Sequence, residues 1–265
     1  MSGRYLTQTR VERLEAGLAE RDRAILTTLQ QVRLASGAQL DRLHFAGSNP
    51  RHRRRVLASL VARRLLARLP RQVGGVRSGS AGFLYVLDVA GQRLVQPDPG
   101  ARRRVQPPWV PGWPFIAHAL AVTELYVELV EARRVRRIEL FHFAGEPDCW
   151  RTFYASGGAR ARLKPDAYVR VVQGEFEEHW FVEVDRGTQA LTTIERKLST
   201  YRAYWASGRE QARAGVFPWV LFVVRGEPRK QQLADLFGQQ PADSQVLFRV
   251  VTADEAVDVM AGALP

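Results

Sequence analysis

The chain has 265 residues, of which 46% are hydrophobic and 25% charged, a composition that is ordinary for a globular protein and excludes a largely disordered one. Its one cysteine, Cys149, excludes an internal disulfide and cysteine-rich zinc sites. The sequence has neither an apolar run of membrane-spanning length nor the layout of a secretion signal, so we expect a cytoplasmic protein with no membrane partner.

The positive charge is concentrated near the amino terminus. Residues 1–80 contain sixteen arginines and five acidic residues, a net charge of +11, whereas the whole chain carries +12. Lysine occurs only at positions 164, 197 and 230. This asymmetry predicts a polyanionic partner for the first third of the chain, and double-stranded DNA is the simplest such partner.

The first 96 residues have the element order of a winged helix. Periodic apolar residues predict helices at about 24–36, 38–45 and 50–64, the last of which begins after the capping sequence Ser48-Asn49-Pro50. Strands are predicted at about 65–70 and 82–88, and the loop RQVGGVRSGSA between them would form the wing. Residues 1–96 are therefore predicted to be a winged-helix DNA-binding domain.

The third predicted helix and the wing carry the basic residues expected to contact DNA. In a winged helix the third helix enters the major groove, while the wing contacts the backbone. The predicted DNA-binding residues are Arg51, Arg53, Arg54, Arg55, Arg71 and Arg77. Adjacent helical positions diverge by about 100°, so the three consecutive arginines cannot all face the groove. The alternative is a winged helix that binds protein and exposes a solvated basic surface.

A proline-rich segment follows this domain. Six of the fourteen prolines lie between Pro97 and Pro114, together with three consecutive arginines. Such a segment cannot continue a helix or a central strand. Residues 97–113 are therefore predicted to be a linker, and residues 114–265 a second domain.

The second domain is predicted to be a mixed α/β domain resembling the restriction-endonuclease-like core. Helices are predicted at about 115–132, 190–206 and 228–237. Strands are predicted at about 136–143, 150–154, 166–172, 179–185, 219–224 and 246–251. The predicted fold class of the chain is α/β, a winged helix followed by this nuclease-like domain.

Two carboxylates are predicted to face each other in the second domain. In the strand sequence FVEVD, Glu183 and Asp185 share one face because strand side chains alternate. If the hairpin turns at Gly174-Glu175, Asp166 is paired with Glu183, whereas a longer turn would bring Asp185 into the cluster. Adjacent acids repel unless a cation neutralises them, which predicts a site for Mg²⁺ or Mn²⁺.

These residues resemble the nuclease pattern PD-(D/E)xK. Pro165-Asp166 and Glu183-Val184-Asp185 match it, except that Asp185 takes the place of the lysine. Lys197, at the border of the apolar face of the next helix, is the predicted replacement cation, and Glu124 of the first helix is a further metal ligand used by nucleases of this fold. The predicted catalytic residues are Asp166, Glu183, Asp185 and Lys197, and the predicted metal ligands are Asp166, Glu183 and Glu124.

Each of these residues also has a structural alternative. Glu183 could form an ion pair with Arg170 or Arg186, and Lys197 could be a surface lysine. Glu124 could be an exposed helical residue, and Thr188 is expected to cap the helix that follows it.

Four segments together resemble the replication-relaxation family of bacterial plasmids and mobile elements. They are FVEVDRGTQALTTIERKLSTY, KPDA, HALAVTELYVEL and FLYVLDVAGQRLV, and the resemblance covers about residues 20–225. It implies a role in plasmid replication or in DNA relaxation and mobilisation, with other replication or mobilisation proteins as partners.

Two functions are compatible with these features. The first is a metal-dependent DNA endonuclease or nickase that the winged helix directs to its DNA site. The second is a catalytically inactive DNA-binding regulator of replication or transcription. The acid cluster favours the first, and the lack of a lysine within the strand favours the second. The sequence has no signal for an oligomeric state.

Overall fold

The computed structural model describes residues 7–69, 83–96, 105–108, 110–155 and 157–262. The chain divides into two compact units, Met1–Val127 and Glu128–Pro265. Helices and strands occur in both units, which confirms the predicted α/β class.

The first unit contains a small antiparallel sheet and several helices. Its strands lie in the order β1-β3-β2, with β3 in the centre. In chain order the elements are α1 (Gln8–Ala16), α2 (Glu20–Val32), β1 (Ala35–Ser36), α3 (Gly37–His44), α4 (Pro50–Ala62), β2 (Leu66–Leu69), β3 (Leu84–Leu87), α5 (Val89–Leu94) and α6 (Trp113–Arg134). The three predicted helices and two predicted strands are all present, in the predicted order, from α2 to β3.

Local sequence signals explain where these helices begin. The side chain of Asn49 accepts a 2.8 Å hydrogen bond from the backbone N–H of Arg51, and Pro50 occupies the first turn of α4, as predicted. Ser36 and Gln39 form a reciprocal capping box at the start of α3. The sequence does not predict β1, because two residues are too few to form a periodic pattern.

The first half of α6 belongs to the core of the first unit. One apolar cluster contains Leu34, Leu69, Leu84, Ile116 and Ala119. In addition, the hydroxyl of Thr123 donates a 2.6 Å hydrogen bond to the carbonyl oxygen of Leu34. The division between the units therefore falls within α6 and not in the predicted linker 97–113, of which residues 97–104 and 109 lie outside the described residues.

The second unit is built on a five-stranded mixed sheet in the order β10-β9-β8-β7-β4. Its strands are β4 (Leu140–Gly145), β5 (Arg151–Tyr154), β6 (Arg160–Leu163), β7 (Ala167–Gln173), β8 (Phe176–Asp185), β9 (Trp219–Val224) and β10 (Phe248–Thr252). Its further helices are α7 (Leu191–Ala206), α8 (Arg209–Ala214), α9 (Glu227–Gly238), α10 (Ala242–Gln245) and α11 (Ala256–Met260).

The direction of each strand follows from its connection. A two-residue turn joins β7 to β8, so these strands are antiparallel, and β4 is antiparallel to β7. Helical crossovers α7–α8 and α9 connect β8, β9 and β10, which are parallel. The side chains of α7 pack on the sheet in an apolar cluster that includes Phe181, Ile194, Leu198, Tyr201 and Phe222.

Three predictions for this unit differ from the structure. Strand β4 begins at Leu140 and not at 136, because Arg136 adopts a positive φ of 60° and turns the chain there. Strand β6 was not predicted, and among the described strands it pairs with β5 alone, in a separate two-stranded sheet. The prediction that Thr188 caps α7 is wrong, since the N-cap is Ala190 and makes no side-chain cap bond.

Candidate functional site

Asp166 lies directly before β7 and opposite Glu183 of β8, in the predicted register. Gln173 pairs with Phe176 across the turn and Ala167 pairs with Val182, so the residue before Ala167 is opposite Glu183. The backbone N–H of Asp166 donates to the carbonyl of Val182 at 2.9 Å. Both acids are buried, with 8% and 2% of their surface exposed. The backbone ladder therefore holds two carboxylates side by side in the interior.

The carboxylate of Asp166 is fixed by the neighbouring strand. Its Oδ2 accepts a 2.7 Å hydrogen bond from the backbone N–H of Val184, the residue after Glu183. Asp166 is thus bonded to the backbone on both sides of Glu183, through its own N–H and through its side chain. Its position relative to Glu183 is set by the main chain of β8.

Lys197 and Tyr201 of α7 both bind Glu183. They are four residues apart and therefore lie on the same side of the helix. The ammonium Nζ of Lys197 is 2.5 Å from Oε2 of Glu183, and the hydroxyl of Tyr201 donates to Oε1 at 2.8 Å. The cation beside Glu183 is therefore Lys197 and not Arg170, which pairs with Glu177 at 3.1 Å.

The burial of these groups changes their titration. Burial raises the pKa of Glu183 to about 7, although the Lys197 ammonium opposes this rise, and the charge of Asp166 adds to it. Burial lowers the pKa of Lys197, but the carboxylates of Glu183 and Asp166 outweigh this effect and raise the pKa above its ordinary value. Lys197 is consequently charged at neutral pH.

Asp185 shares the face of Glu183 but has different partners. Its Oδ2 accepts a 2.7 Å hydrogen bond from Nε of Arg229, in the first turn of α9. Its Oδ1 accepts from the backbone N–H of Gly187 at 2.8 Å. This buried ion pair joins the end of β8 to α9, and it favours a structural role for Asp185 over the predicted catalytic role.

The predicted metal ligand Glu124 lies in the first unit. Its carboxylate accepts a 2.8 Å hydrogen bond from Nε2 of Gln39 and forms an ion pair with Arg42. These partners belong to α3, so the contacts join α6 to α3. They favour a structural role for Glu124 over metal binding.

The acid pair has the composition of a two-carboxylate metal site. Within the described residues, no group of three or more His, Cys, Asp or Glu side chains is arranged to hold a metal ion. Mg²⁺ does not require one, since it usually keeps several waters and binds one or two carboxylates together with substrate phosphates. Burial is the main cause of the raised pKa of Glu183, and the charge of Asp166 adds to it. A divalent cation would relieve both the cost of burying the charge and the repulsion between the two acids.

A second group of predicted residues lies on α4 in the first unit. Arg51, Arg54 and Arg55 are exposed, whereas Arg53 is half-buried and forms a 2.5 Å ion pair with Asp41. The four arginines thus differ in the charge that they present to solvent. Arg71 and Arg77, predicted for the wing, lie outside the described residues.

Two contacts of the carboxylates on β8 were not predicted from the sequence. Tyr201 belongs to the apolar face of its helix, where a buried aromatic ring is expected. The sequence therefore has no signal that its hydroxyl contacts Glu183. Arg229 is 44 positions from Asp185, and only the parallel packing of β8 and β9 brings α9 to the end of β8. A search for basic residues just after the strand that follows FVEVD would have found Arg229.

Comparison with known proteins identifies a family. None of the described helices is both long and apolar enough to cross a membrane. No curated protein and no solved structure matches the chain significantly. A sequence model described as replication-relaxation matches residues 26–220, a segment that includes Asp166, Glu183 and Lys197. Because the match covers well over half of the chain, this protein belongs to the replication-relaxation family.

Proposed function

We propose that this protein binds double-stranded DNA in the replication or relaxation of a plasmid or mobile element, and that its second unit cleaves or nicks DNA with a divalent metal. One arrangement carries this proposal. Two buried acids lie opposite each other, Asp166 directly before β7 and Glu183 on β8, and Nζ of Lys197 is 2.5 Å from Glu183. Metal-assisted phosphodiester hydrolysis uses carboxylates to hold the metal and usually a lysine to stabilise charge.

Asp166 and Glu183 would hold Mg²⁺ or Mn²⁺. A metal ion bound there would supply Lewis acidity and an activated water for attack on the phosphate. Asp185 and Glu124 are not needed for this role, because their carboxylates bind Arg229 and the pair Gln39 and Arg42.

The other residues of the site hold the acids and add a fixed charge. Tyr201 fixes one oxygen of Glu183, and the N–H of Val184 fixes one oxygen of Asp166. The side chain of Lys197 is 31% exposed, so this lysine lies between the buried acids and the solvent from which a phosphate would approach. A positive charge that is already in place can stabilise developing negative charge with little reorganisation.

The first unit would direct the protein to DNA. Its exposed arginines on α4 offer charge to phosphates, and the helix–strand order from α2 to β3 is that of a winged helix. Most of the net charge of the chain lies in this part of the sequence. Both features support DNA binding by this unit, with other replication proteins as further partners.

The second candidate function is an inactive DNA-binding regulator. It is favoured by the hydrogen bonds of Glu183, since one oxygen accepts from Lys197 and the other from Tyr201. A carboxylate whose two oxygens both accept hydrogen bonds within the protein needs no metal ion. Glu183 and Lys197 would then be a structural ion pair in a domain that has lost catalysis.

An assay with the full chain distinguishes the two functions. Supercoiled plasmid DNA is incubated with the protein in Mg²⁺, in Mn²⁺ or in chelator. The nuclease proposal predicts nicked or linear product only with metal, and loss of product in Asp166→Asn, Glu183→Gln and Lys197→Met. Glu177→Gln, which removes an exposed carboxylate on the same strand, is the matched control and should cleave normally.

A binding measurement gives an independent readout. Mg²⁺ that binds only the folded state raises the melting temperature of the wild type, and Glu183→Gln should lose this rise. DNA binding with neither cleavage nor metal-induced stabilisation would leave the inactive regulator as the function.

A further inference from the structure

We infer that the exposed face of the β5–β6 ribbon binds the phosphate backbone of DNA and leads it to the acid pair. This ribbon face consists of Thr152, Tyr154, Arg160, Arg162 and Lys164. The inference rests on the proposed function for the identity of the ligand, because it takes DNA as the substrate of the second unit.

The ribbon has one buried and one exposed side. Its register pairs Thr152 with Arg162 and Tyr154 with Arg160, and all four residues are exposed. The alternate residues Phe153 and Leu163 are buried in the main apolar cluster of the unit. The buried side anchors the ribbon, so the exposed side presents its polar groups on a fixed backbone.

The three cations of the ribbon face differ from other cations of the same unit in their partners. Among the described residues, no acidic side chain forms an ion pair with Arg160, Arg162 or Lys164. Other cations of the same unit are neutralised, since Arg229 pairs with Asp185 and Lys230 with Glu255. A cluster of uncompensated positive charge repels itself, and an anionic ligand would stabilise it.

The residues of the ribbon face border an open depression. A cavity of about 270 Å³ is lined by Thr152, Arg160, Ala161, Arg162 and Lys164. The ring of Trp150 lies beneath two of these cations, with its centroid 4.9 Å from Nζ of Lys164 and 5.7 Å from Cζ of Arg162. These cation–π contacts keep the two charges together at one end of the cavity.

The spacing of the cations suits a repeating anion. Arg160 and Arg162 are two residues apart on one strand, so their side chains leave the same face about 7 Å apart. A single free phosphate would use only part of this row, whereas successive phosphates of a DNA strand would use all of it. Tyr154 is 59% exposed beside Arg160, and an exposed aromatic ring next to cations is typical of surfaces that contact nucleic acid.

The ribbon face leads directly to the acid pair along the chain. Lys164 is separated from Asp166 by Pro165 alone, a distance of about 7 Å in extended chain. DNA that follows the ribbon face would therefore bring a phosphate next to Asp166. This gives the second unit its own DNA contacts, separate from those proposed for α4.

Photocrosslinking in the full chain tests the inference. p-Benzoylphenylalanine replaces Tyr154 in one variant and Phe176 in a matched control. Phe176 is 76% exposed at the β7–β8 turn of the same unit. We expect crosslinks to duplex DNA from position 154 and not from position 176. No crosslink from position 154, or equal crosslinks from both positions, would overturn the inference.

A competition experiment separates DNA from free phosphate as the ligand. Inorganic phosphate is added at an ionic strength matched with chloride. We expect the crosslink from position 154 to fall equally with the two salts. Its selective loss with inorganic phosphate would identify a site for free anions and overturn the assignment to DNA.

The charges of the ribbon face are tested by the salt dependence of DNA affinity. Arg160→Gln/Arg162→Gln should reduce the log–log slope by up to about 2, because each lost phosphate contact removes about 0.9. Arg133→Gln/Arg136→Gln removes the same charge from exposed positions of the same unit and should leave the slope unchanged. Equal slopes for the two double variants, with wild-type melting temperatures, would overturn the inference.

These tests are independent of cleavage, since the crosslinking is performed in chelator. If Glu183→Gln cleaves normally but position 154 crosslinks to DNA, the proposed nuclease site is wrong and the ribbon face is retained. If cleavage depends on Glu183 but position 154 does not crosslink, the nuclease site is retained and the ribbon face is wrong.

Discussion

The ammonium group of Lys197 lies 2.5 Å from Oε2 of Glu183, although fourteen positions separate the two residues in the chain. The contact joins α7 to β8 and places a cation at a pair of buried acids. Asp166 also acts on Lys197, since its charge contributes to the raised pKa of the ammonium. One positive charge is thus shared between two carboxylates, and the net charge of the group depends on whether Glu183 is protonated.

Glu183→Gln is expected to stabilise the metal-free protein at pH 8. The folded-state pKa of Glu183 is raised to about 7, so the ionised form that is present at pH 8 opposes folding, and Gln removes that charge while keeping the shape. The gain should be about 1–3 kcal/mol, less than the full equivalent of the pKa shift, because Gln also takes from Lys197 its charged partner. The measurement is chemical denaturation in chelator.

The sign of this effect also fixes its pH dependence. Between the unfolded pKa, near 4.5, and the folded pKa, about 7, the folded state binds more protons, so the contribution of Glu183 to the free energy of unfolding falls as the pH rises. The gain from Glu183→Gln should therefore be small at pH 5 and full at pH 8. A lower stability of the variant at pH 8 would show that the ion pair with Lys197 outweighs the burial of the charge.

Lys197→Met is expected to destabilise the protein at pH 8. Without the ammonium, Asp166 and Glu183 face each other with no shared cation, and Glu183 must take up a proton to relieve the repulsion. The loss should be below the roughly 3–5 kcal/mol of a fully buried broken pair, because Lys197 is 31% exposed. The measurement is the free energy of unfolding of the wild type and the variant at pH 5 and at pH 8. The two proteins should differ strongly only at pH 8.

The double variant Glu183→Gln/Lys197→Met tests whether the two effects are coupled. Because the residues are in direct contact, we expect the double variant to recover most of the stability lost by Lys197→Met. Additive effects of the two substitutions would contradict the shared-charge description of the site.

A fragment ending at residue 134 should bind duplex DNA, whereas one ending at 96 should be less stable. The shorter fragment lacks Ile116 and Ala119, which pack on Leu34, Leu69 and Leu84, and burial of a side chain such as Ile116 contributes about 1.5–3 kcal/mol. Thermal unfolding and a DNA titration at several salt concentrations provide the measurements. Equal melting temperatures of the two fragments would show that α6 is not part of this core.

Alanine substitutions in α4 should have unequal effects on DNA binding. Arg54→Ala removes an exposed charge and should reduce the salt slope by about 0.9 if it contacts a phosphate. Arg53→Ala should leave the slope nearly unchanged, because Asp41 already neutralises Arg53. Fluorescence anisotropy with duplex DNA measures both variants, and equal small losses would argue against α4 as a DNA-contacting helix.

The acid pair could be predicted from the sequence because it depends on local geometry. The turn at Gly174-Glu175 determines the register of β7 and β8, and the register determines that Asp166 is opposite Glu183. Alternation along β8 likewise places Asp185 on the face of Glu183. These inferences need only the two-residue period of a strand and one turn.

Lys197 could be proposed as the cation from its place at the border of the apolar face of its helix, but the contacts of the acids depend on packing between elements. Lys197 reaches Glu183 only because α7 lies across the sheet, and helical periodicity does not define that direction. Arg229 requires the parallel pairing of β8 with β9. Strand β6 was missed because alternating arginines in RARL do not resemble the apolar pattern of a strand, although the alternation is what exposes the ribbon face.

The hydrogen bond from the N–H of Val184 to the carboxylate of Asp166 gives this site a spectroscopic reporter. The amide proton of Val184 senses the charge and orientation of Asp166, yet it belongs to a backbone group that no substitution of an acid removes. Its chemical shift and hydrogen-exchange rate would therefore follow events at Asp166 without a label. In a protein of about 30 kDa, one assigned amide resonance would let the occupancy of the acid pair be followed in solution while DNA is bound elsewhere on the chain.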